Sequence, residues 1–104
     1  MHALLIRFQS TVPIGDLADP FRTYAEALCE VPGLVAKTWI KDGETLGGFH
    51  LFTSRAEADS YLGSEMVAGL TGTDGFSDFV VEHFDVLDEL SRVTGTPADV
   101  LASA

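Results

Sequence analysis

The stretch Leu34-Val35-Ala36-Lys37-Thr38-Trp39-Ile40-Lys41-Asp42-Gly43-Glu44-Thr45-Leu46-Gly47-Gly48-Phe49-His50-Leu51-Phe52 decides the fold. Two runs rich in branched and aromatic residues, 34–41 and 45–52, flank Asp42-Gly43. Asp-Gly accepts the backbone angles of a tight hairpin turn, so the runs read as adjacent antiparallel strands. Gly47-Gly48 inside the second run predicts a bulge, or a close approach by another backbone or a ligand.

Upstream, Pro32-Gly33 ends a helix whose apolar face repeats at Leu17, Phe21, Tyr24, Ala25 and Leu28. Asp19-Pro20 reads as its N-cap followed by proline at the first helical position, with an earlier start near Asp16 as the alternative. A loop over 11–15 separates this helix from a first strand at 3–9. Downstream, Ser54-Arg55-Ala56-Glu57 matches a capping box, and Ala58, Tyr61, Leu62 and Met66 continue an apolar helix face. A connection over 71–75 leads to a last strand at 76–86 and a short closing turn at 87–93. The order βαββαβ predicts a ferredoxin-like α+β domain over residues 1–93, with helices on one face of an antiparallel four-stranded sheet. Strands one and three are expected in the centre, two and four at the edges. Residues 94–104 read as a small-residue tail, partly helical after Pro97.

Composition narrows the function. The chain has 104 residues, room for one domain, and its 46% hydrophobic and 21% charged content argues for a packed core. A net charge of −10 with six Lys and Arg speaks against nucleic acid and anionic membranes as partners. The N-terminus lacks signal-peptide features, no apolar run nears ~20 residues, and Cys29 is the only cysteine, so a cytoplasmic protein is expected. No metal is expected either: His2, His50 and His83 show no His-x-x-x-His or His-x-His spacing.

Strand periodicity predicts a homodimer. Leu4, Ile6 and Phe8 alternate against Ala3, Leu5, Arg7 and Gln9. Val80, Glu82, Phe84 and Val86 alternate against Phe79, Val81, His83 and Asp85. Both faces of the sheet carry large apolar groups, and the helices cover only one. A second copy is the simplest cover for the other, with shielding by the C-terminal tail as the alternative.

Three fragments together resemble the YdhR-like mono-oxygenase family: Pro32-Gly33-Leu34-Val35-Ala36-Lys37-Thr38-Trp39, Gly47-Gly48-Phe49-His50-Leu51-Phe52 with Ala58 and Tyr61-Leu62, and Phe84-Asp85-Val86-Leu87 with Leu90-Ser91. His50 stands where that family usually has Tyr, and Leu87 where it has Asn. The resemblance implies a dimeric α/β barrel related to antibiotic-biosynthesis mono-oxygenases. It also implies a hydrophobic, aromatic or polyketide-type substrate and no cofactor. A non-oxidative cyclase or isomerase, and a non-catalytic binding or accessory protein, are the other readings.

Cofactor-free oxygenation needs a base, an apolar pocket and donors for an oxyanion. His50 is the candidate acid, base or hydrogen-bond donor; the alternative is a hydrogen-bonded core or interface histidine. Trp39 offers a stacking surface or an indole N–H, or simply packs. Lys37 steers an anionic substrate, or lays its stem on Trp39 with its ammonium in water. Tyr24 and Tyr61 offer hydroxyls to a helix–sheet pocket, or pack. His83 and Asp85, with Arg7 across from them, form an oriented pair at a pocket mouth or, as the weightier reading, a structural charge cluster.

Overall fold

A computed structural model describes residues 1–95, so of the tail expected over 94–104 only Thr94, which closes a helix, and Gly95 are described, and the rest lies outside the described residues. The elements are β1 (His2–Ser10), a 3-10 turn (Ile14–Leu17), α1 (Ala18–Leu28), β2 (Leu34–Asp42), β3 (Thr45–Phe52), α2 (Arg55–Leu62), α3 (Glu65–Thr71), β4 (Phe76–Asp85) and α4 (Asp88–Thr94). The strands form one antiparallel sheet in the order β2-β3-β1-β4, which is the ferredoxin-like α+β arrangement with β3 and β1 in the centre.

The hairpin between β2 and β3 turns at Gly43, whose φ of 59° suits glycine. Register is regular across Gly47 and Gly48 against both neighbouring strands, so the paired glycines mark no bulge; the β2–β3 ladder slips only at its far end, between Leu34 and Ala36. Gly47 instead admits a neighbouring backbone: a Cβ there would lie 2.2 Å from the carbonyl oxygen of Ile6 on β1. Gly47→Ala is therefore expected to push the central strands apart and cost ~1–3 kcal/mol, seen as a lower urea midpoint. A true bulge sits in β4, where Arg7 to Gln9 on β1 face Val80 to Ser77. The extra residue, Asp78, has φ of 56°. The bulge resets the alternation, so Phe76 and Phe79 both reach the Phe8 ring, with centroids 4.6 and 4.9 Å away.

Helices α1 and α2 bury the β1 and β3 residues Leu4, Ile6 and Phe52 beneath Leu28, Ala58 and Tyr61. Phe8, Leu17 and Leu46 make a second cluster joined by Phe21, Leu70, Phe76 and Phe79.

Three local expectations are corrected. Asp19 is not the N-cap: the 3-10 turn runs straight into α1, so Asp19 falls in the first turn, where its charge suits the helix dipole. Pro20 sits beside it, where a missing N–H costs nothing. The helix after Ser54 is broken in two: Gly63 caps α2, the Ser64 hydroxyl donates to the Tyr61 carbonyl at 2.6 Å, and Met66 belongs to α3. The expected turn at 87–93 is the helix α4. It is tied to the start of β1 by the Val86 N–H on the Met1 carbonyl and by the N-terminal ammonium 3.4 Å from Asp88.

Candidate active site

Strand register assembles the site. His50 on β3 pairs with Leu4 on one side and Lys37 of β2 on the other, and Trp39 pairs with Gly48. Directly paired residues share a face, so His50, Lys37 and Trp39 all project towards the helices. Tyr24 from α1 and Tyr61 from α2 come down onto them, and these five side chains line one cavity of about 380 Å³. Its remaining wall is mostly apolar, with Ile6, Phe8, Phe21 and Leu46 prominent.

His50 is the most constrained member, with 1% of its surface exposed. Its ring lies 5.6 Å from that of Tyr61 and 6.4 Å from that of Phe52, centroid to centroid. Neither ring nitrogen has a hydrogen-bond partner among the described residues. The Leu4 and Gly48 carbonyls lie close enough to favour the protonated ring but make no well-formed bond to it. Burial, reinforced by the Lys37 charge, pushes the His50 pKa down to about 4, so the imidazole is neutral at neutral pH.

Lys37 is half-buried, and its ammonium lies against aromatic rings. Its Nζ sits 3.5 Å from the centre of the Trp39 ring and 5.3 Å from that of Tyr24. These aromatic faces replace part of its hydration, and burial still lowers its pKa to about 8. Gly48 makes room for the stem: a Cβ there would lie 2.4 Å from Lys37 Cε. The Lys37 stem can swing aside, but Cε1 of the buried His50 ring would also lie 3.1 Å away and has less room to yield. Gly48→Ala should thus lower the urea midpoint less than Gly47→Ala does, while displacing the amine and shifting the emission of Trp39, the only tryptophan.

The Tyr24 and Tyr61 hydroxyls are 2.6 Å apart, and burial raises the pKa of each, so both phenols stay protonated. Two hydroxyls in contact use one proton between them, which leaves the other for a ligand oxygen. Removing the Tyr61 hydroxyl as Tyr61→Phe should cost ~0.5–1.5 kcal/mol of stability by thermal unfolding.

Sequence reasoning missed two cavity residues, Arg22 and Lys41. With Lys37 they place three of the six Lys and Arg residues at the cavity, whose lining has no Asp or Glu. The alternation Lys37, Trp39, Lys41 could have shown Lys41; the overall charge of −10 pointed the other way.

Three candidates lie elsewhere. Arg7 does not face His83 and Asp85: it pairs across to Val80 on the sheet face away from the helices, and its guanidinium meets Glu82 at 2.6 Å. His83 and Asp85 lie beyond the cavity, at the end of the sheet where β1 begins. There His83 Nδ1 is 2.8 Å from His2 Nε2, and His2 Nδ1 is 3.8 Å from Asp85. His2, passed over as terminal, is thereby a buried member of β1; the alternation His2, Leu4, Ile6, Phe8 carried that signal.

Solved structures share this fold. SnoaB, a cofactor-independent oxygenase from Streptomyces nogalater, superposes with a TM-score of 0.66 at 15% identity, over 82% of this chain and 91% of that one. A protein of unknown function from Nitrosomonas europaea gives 0.61 at 24% identity, covering 83% and 88%. The haem-degrader MhuD from Mycobacterium tuberculosis gives 0.62 at 16% identity, covering 84% and 96%. No curated protein matches the chain at a significant level. The family described as "Putative mono-oxygenase ydhR" matches residues 3–97. A match over nearly the whole length places the chain in the ydhR mono-oxygenase family.

Proposed function

We propose that the protein is a cofactor-independent mono-oxygenase for a hydrophobic aromatic molecule with an enolisable or phenolic oxygen, and that it works as a homodimer. One observation carries the chemistry: a buried, neutral, unpartnered imidazole and a half-buried ammonium set against Trp39 share one largely apolar cavity. A cofactor-independent oxygenase also shares the fold.

The ring system of such a substrate fits the apolar wall and Trp39. Its oxygen meets the Lys37 ammonium and the spare proton of the tyrosine pair. His50 accepts the proton at its free ring nitrogen. The imidazolium so formed lies beside the new anion, which offsets the burial that otherwise keeps His50 neutral. Held by Lys37, the anion is electron-rich enough to pass one electron to O2. Recombination gives a peroxide, and loss of water leaves one oxygen atom on carbon as a carbonyl.

The homodimer is supported by the sheet face opposite the helices. There Ile40, Phe49, Val80 and Phe84 are all exposed in the single chain around a half-buried Leu5. The Arg7–Glu82 ion pair lies among them, and exposed apolar area of this extent normally meets a partner.

The test is oxygen consumption with anthrone, an enolisable polycyclic ketone, as the probe. One O2 consumed per carbonyl formed is expected. Equal conversion under nitrogen would replace oxygenation with cyclase or isomerase chemistry.

A further inference from the structure

We infer that Lys37 is a carbonyl-capturing amine: hydrophobic aldehydes and ketones entering the cavity form an imine on its Nζ. This is an activity separate from oxygenation, and it stands on the geometry of the cavity.

Three features of that geometry converge. The Lys37 amine lines a largely apolar, open-mouthed cavity, so a hydrophobic carbonyl compound bound there is brought to the nucleophile. It has no carboxylate partner among the described residues: no Asp or Glu lines the cavity, and none forms an ion pair with it. A lysine tied to a carboxylate is held as an ammonium. One held only by the faces of Trp39 and Tyr24 releases its proton more readily, and Lys37 is among the residues that line the cavity. Finally, proton carriers for the later steps are in place, namely the free ring nitrogens of His50 and the hydroxyl pair of Tyr24 and Tyr61.

The chemistry balances without an oxidant or a cofactor. The Nζ lone pair forms a bond to the carbonyl carbon, and the resulting carbinolamine loses its oxygen as water. A tyrosine hydroxyl supplies the proton for that departure and recovers one from the nitrogen side through solvent. The carbon–nitrogen double bond that remains, once protonated, acidifies the adjacent C–H bonds. His50 is then the base that receives the α-proton and leaves an enamine. Nothing is oxidised or reduced in these steps. Burial lowers the Lys37 pKa to about 8, so a useful fraction of the amine is neutral near physiological pH.

The chain supplies its own control. It has two lysines, Lys37 in the cavity and Lys41 at its exposed edge, plus the N-terminal amine. The experiment treats the native wild-type protein at pH 7 with limiting benzaldehyde and cyanoborohydride, which locks any imine as a benzylamine. Peptide mass mapping then counts label at each amine. At least ten-fold faster labelling of Lys37 than of Lys41 is expected, with the preference lost in guanidinium, where the cavity is gone. Lys37 labelled no faster than Lys41 overturns the inference. So does a preference that survives unfolding, because it would then come from local sequence and not from the cavity. The readout needs no O2, so its failure leaves the oxygenase reading standing, and failure of oxygen uptake leaves this one standing.

Discussion

Replacing His50 with phenylalanine should raise the stability of the fold and remove its turnover. The imidazole is fully buried, and both ring nitrogens lack partners. Each unsatisfied buried polar group costs ~1–3 kcal/mol, whereas an apolar ring of similar shape carries no such penalty. A gain of ~1–3 kcal/mol is expected, and each kcal/mol raises the melting temperature by roughly 4–8 °C in a domain this small. Loss of a general base lowers the rate by ~10²–10⁴. Opposite signs in the two measurements mark a group kept for chemistry at the expense of packing. Thermal unfolding and oxygen uptake on the same sample check both. A less stable variant with undiminished uptake would make His50 a structural residue.

The same substitution has a signature in pH. The His50 pKa is 6.5 in the unfolded chain and about 4 in the folded one, lowered first by burial and then by Lys37. Between those values the unfolded state binds the extra proton, so stability rises with pH across this window. This contribution is intact above pH 6.5 and is lost as the pH falls towards 4. At 1.36 kcal/mol per pKa unit, the loss amounts to about 3 kcal/mol. His50→Phe should lack that slope. Urea midpoints at pH 7 and pH 4.5 for both proteins separate it from the titration of the carboxylates they share.

The fold was legible because its signals are local. Asp42-Gly43 between two strand-like runs fixes the hairpin, and the six-element order leaves few topologies. Ser54 does cap α2 as its spacing implies, with its hydroxyl accepting from the Glu57 N–H at 3.3 Å. Element ends were less legible where tertiary contacts decide them. The start of α1 depends on the preceding 3-10 turn, and the β4 bulge depends on Phe76 and Phe79 both reaching Phe8. The site shows the same division. His50, Lys37 and Trp39 share a face by period-two alternation, and Tyr24 and Tyr61 follow from helix faces, so the sequence holds all five. Their mutual geometry requires the register between strands. That register also separates Arg7 from His83 and Asp85, since an offset of one residue moves a side chain to the other face. The cationic character of the cavity was masked because net charge sums over the whole surface, while three cations gather at one opening.

Phe49→Asp should convert a dimer into a folded monomer. Phe49 lies on central strand β3, paired with Leu5 of β1 and Thr38 of β2, on the face turned away from the helices. It is 44% exposed in the single chain, and Phe84 on the edge strand is 45% exposed. Large aromatic rings bury ~150–250 Å² each when covered, so a few of them fill much of the ~800 Å² per partner of a standard interface. A two-fold contact uses the same patch on both copies, so one substitution acts twice. It removes two apolar anchors and buries two unpaired carboxylates among apolar groups, at several kcal/mol in all. Dissociation should therefore strengthen by at least ~10³-fold. Within a single chain the position already faces water, so the monomer should keep its circular dichroism spectrum. Sedimentation equilibrium reads the outcome directly: twice 11.1 kDa for the wild type and 11.1 kDa for the variant. Arg55→Ala, on α2 at the helix side of the molecule, is the control. Its ion pair with Asp59 is exposed, and such pairs contribute ~0–1 kcal/mol, so that variant should remain dimeric. A wild type that sediments at 11.1 kDa would mean that this apolar face stays in water. The homodimer would then be ruled out, while the cavity between sheet and helices, complete within one chain, would be untouched.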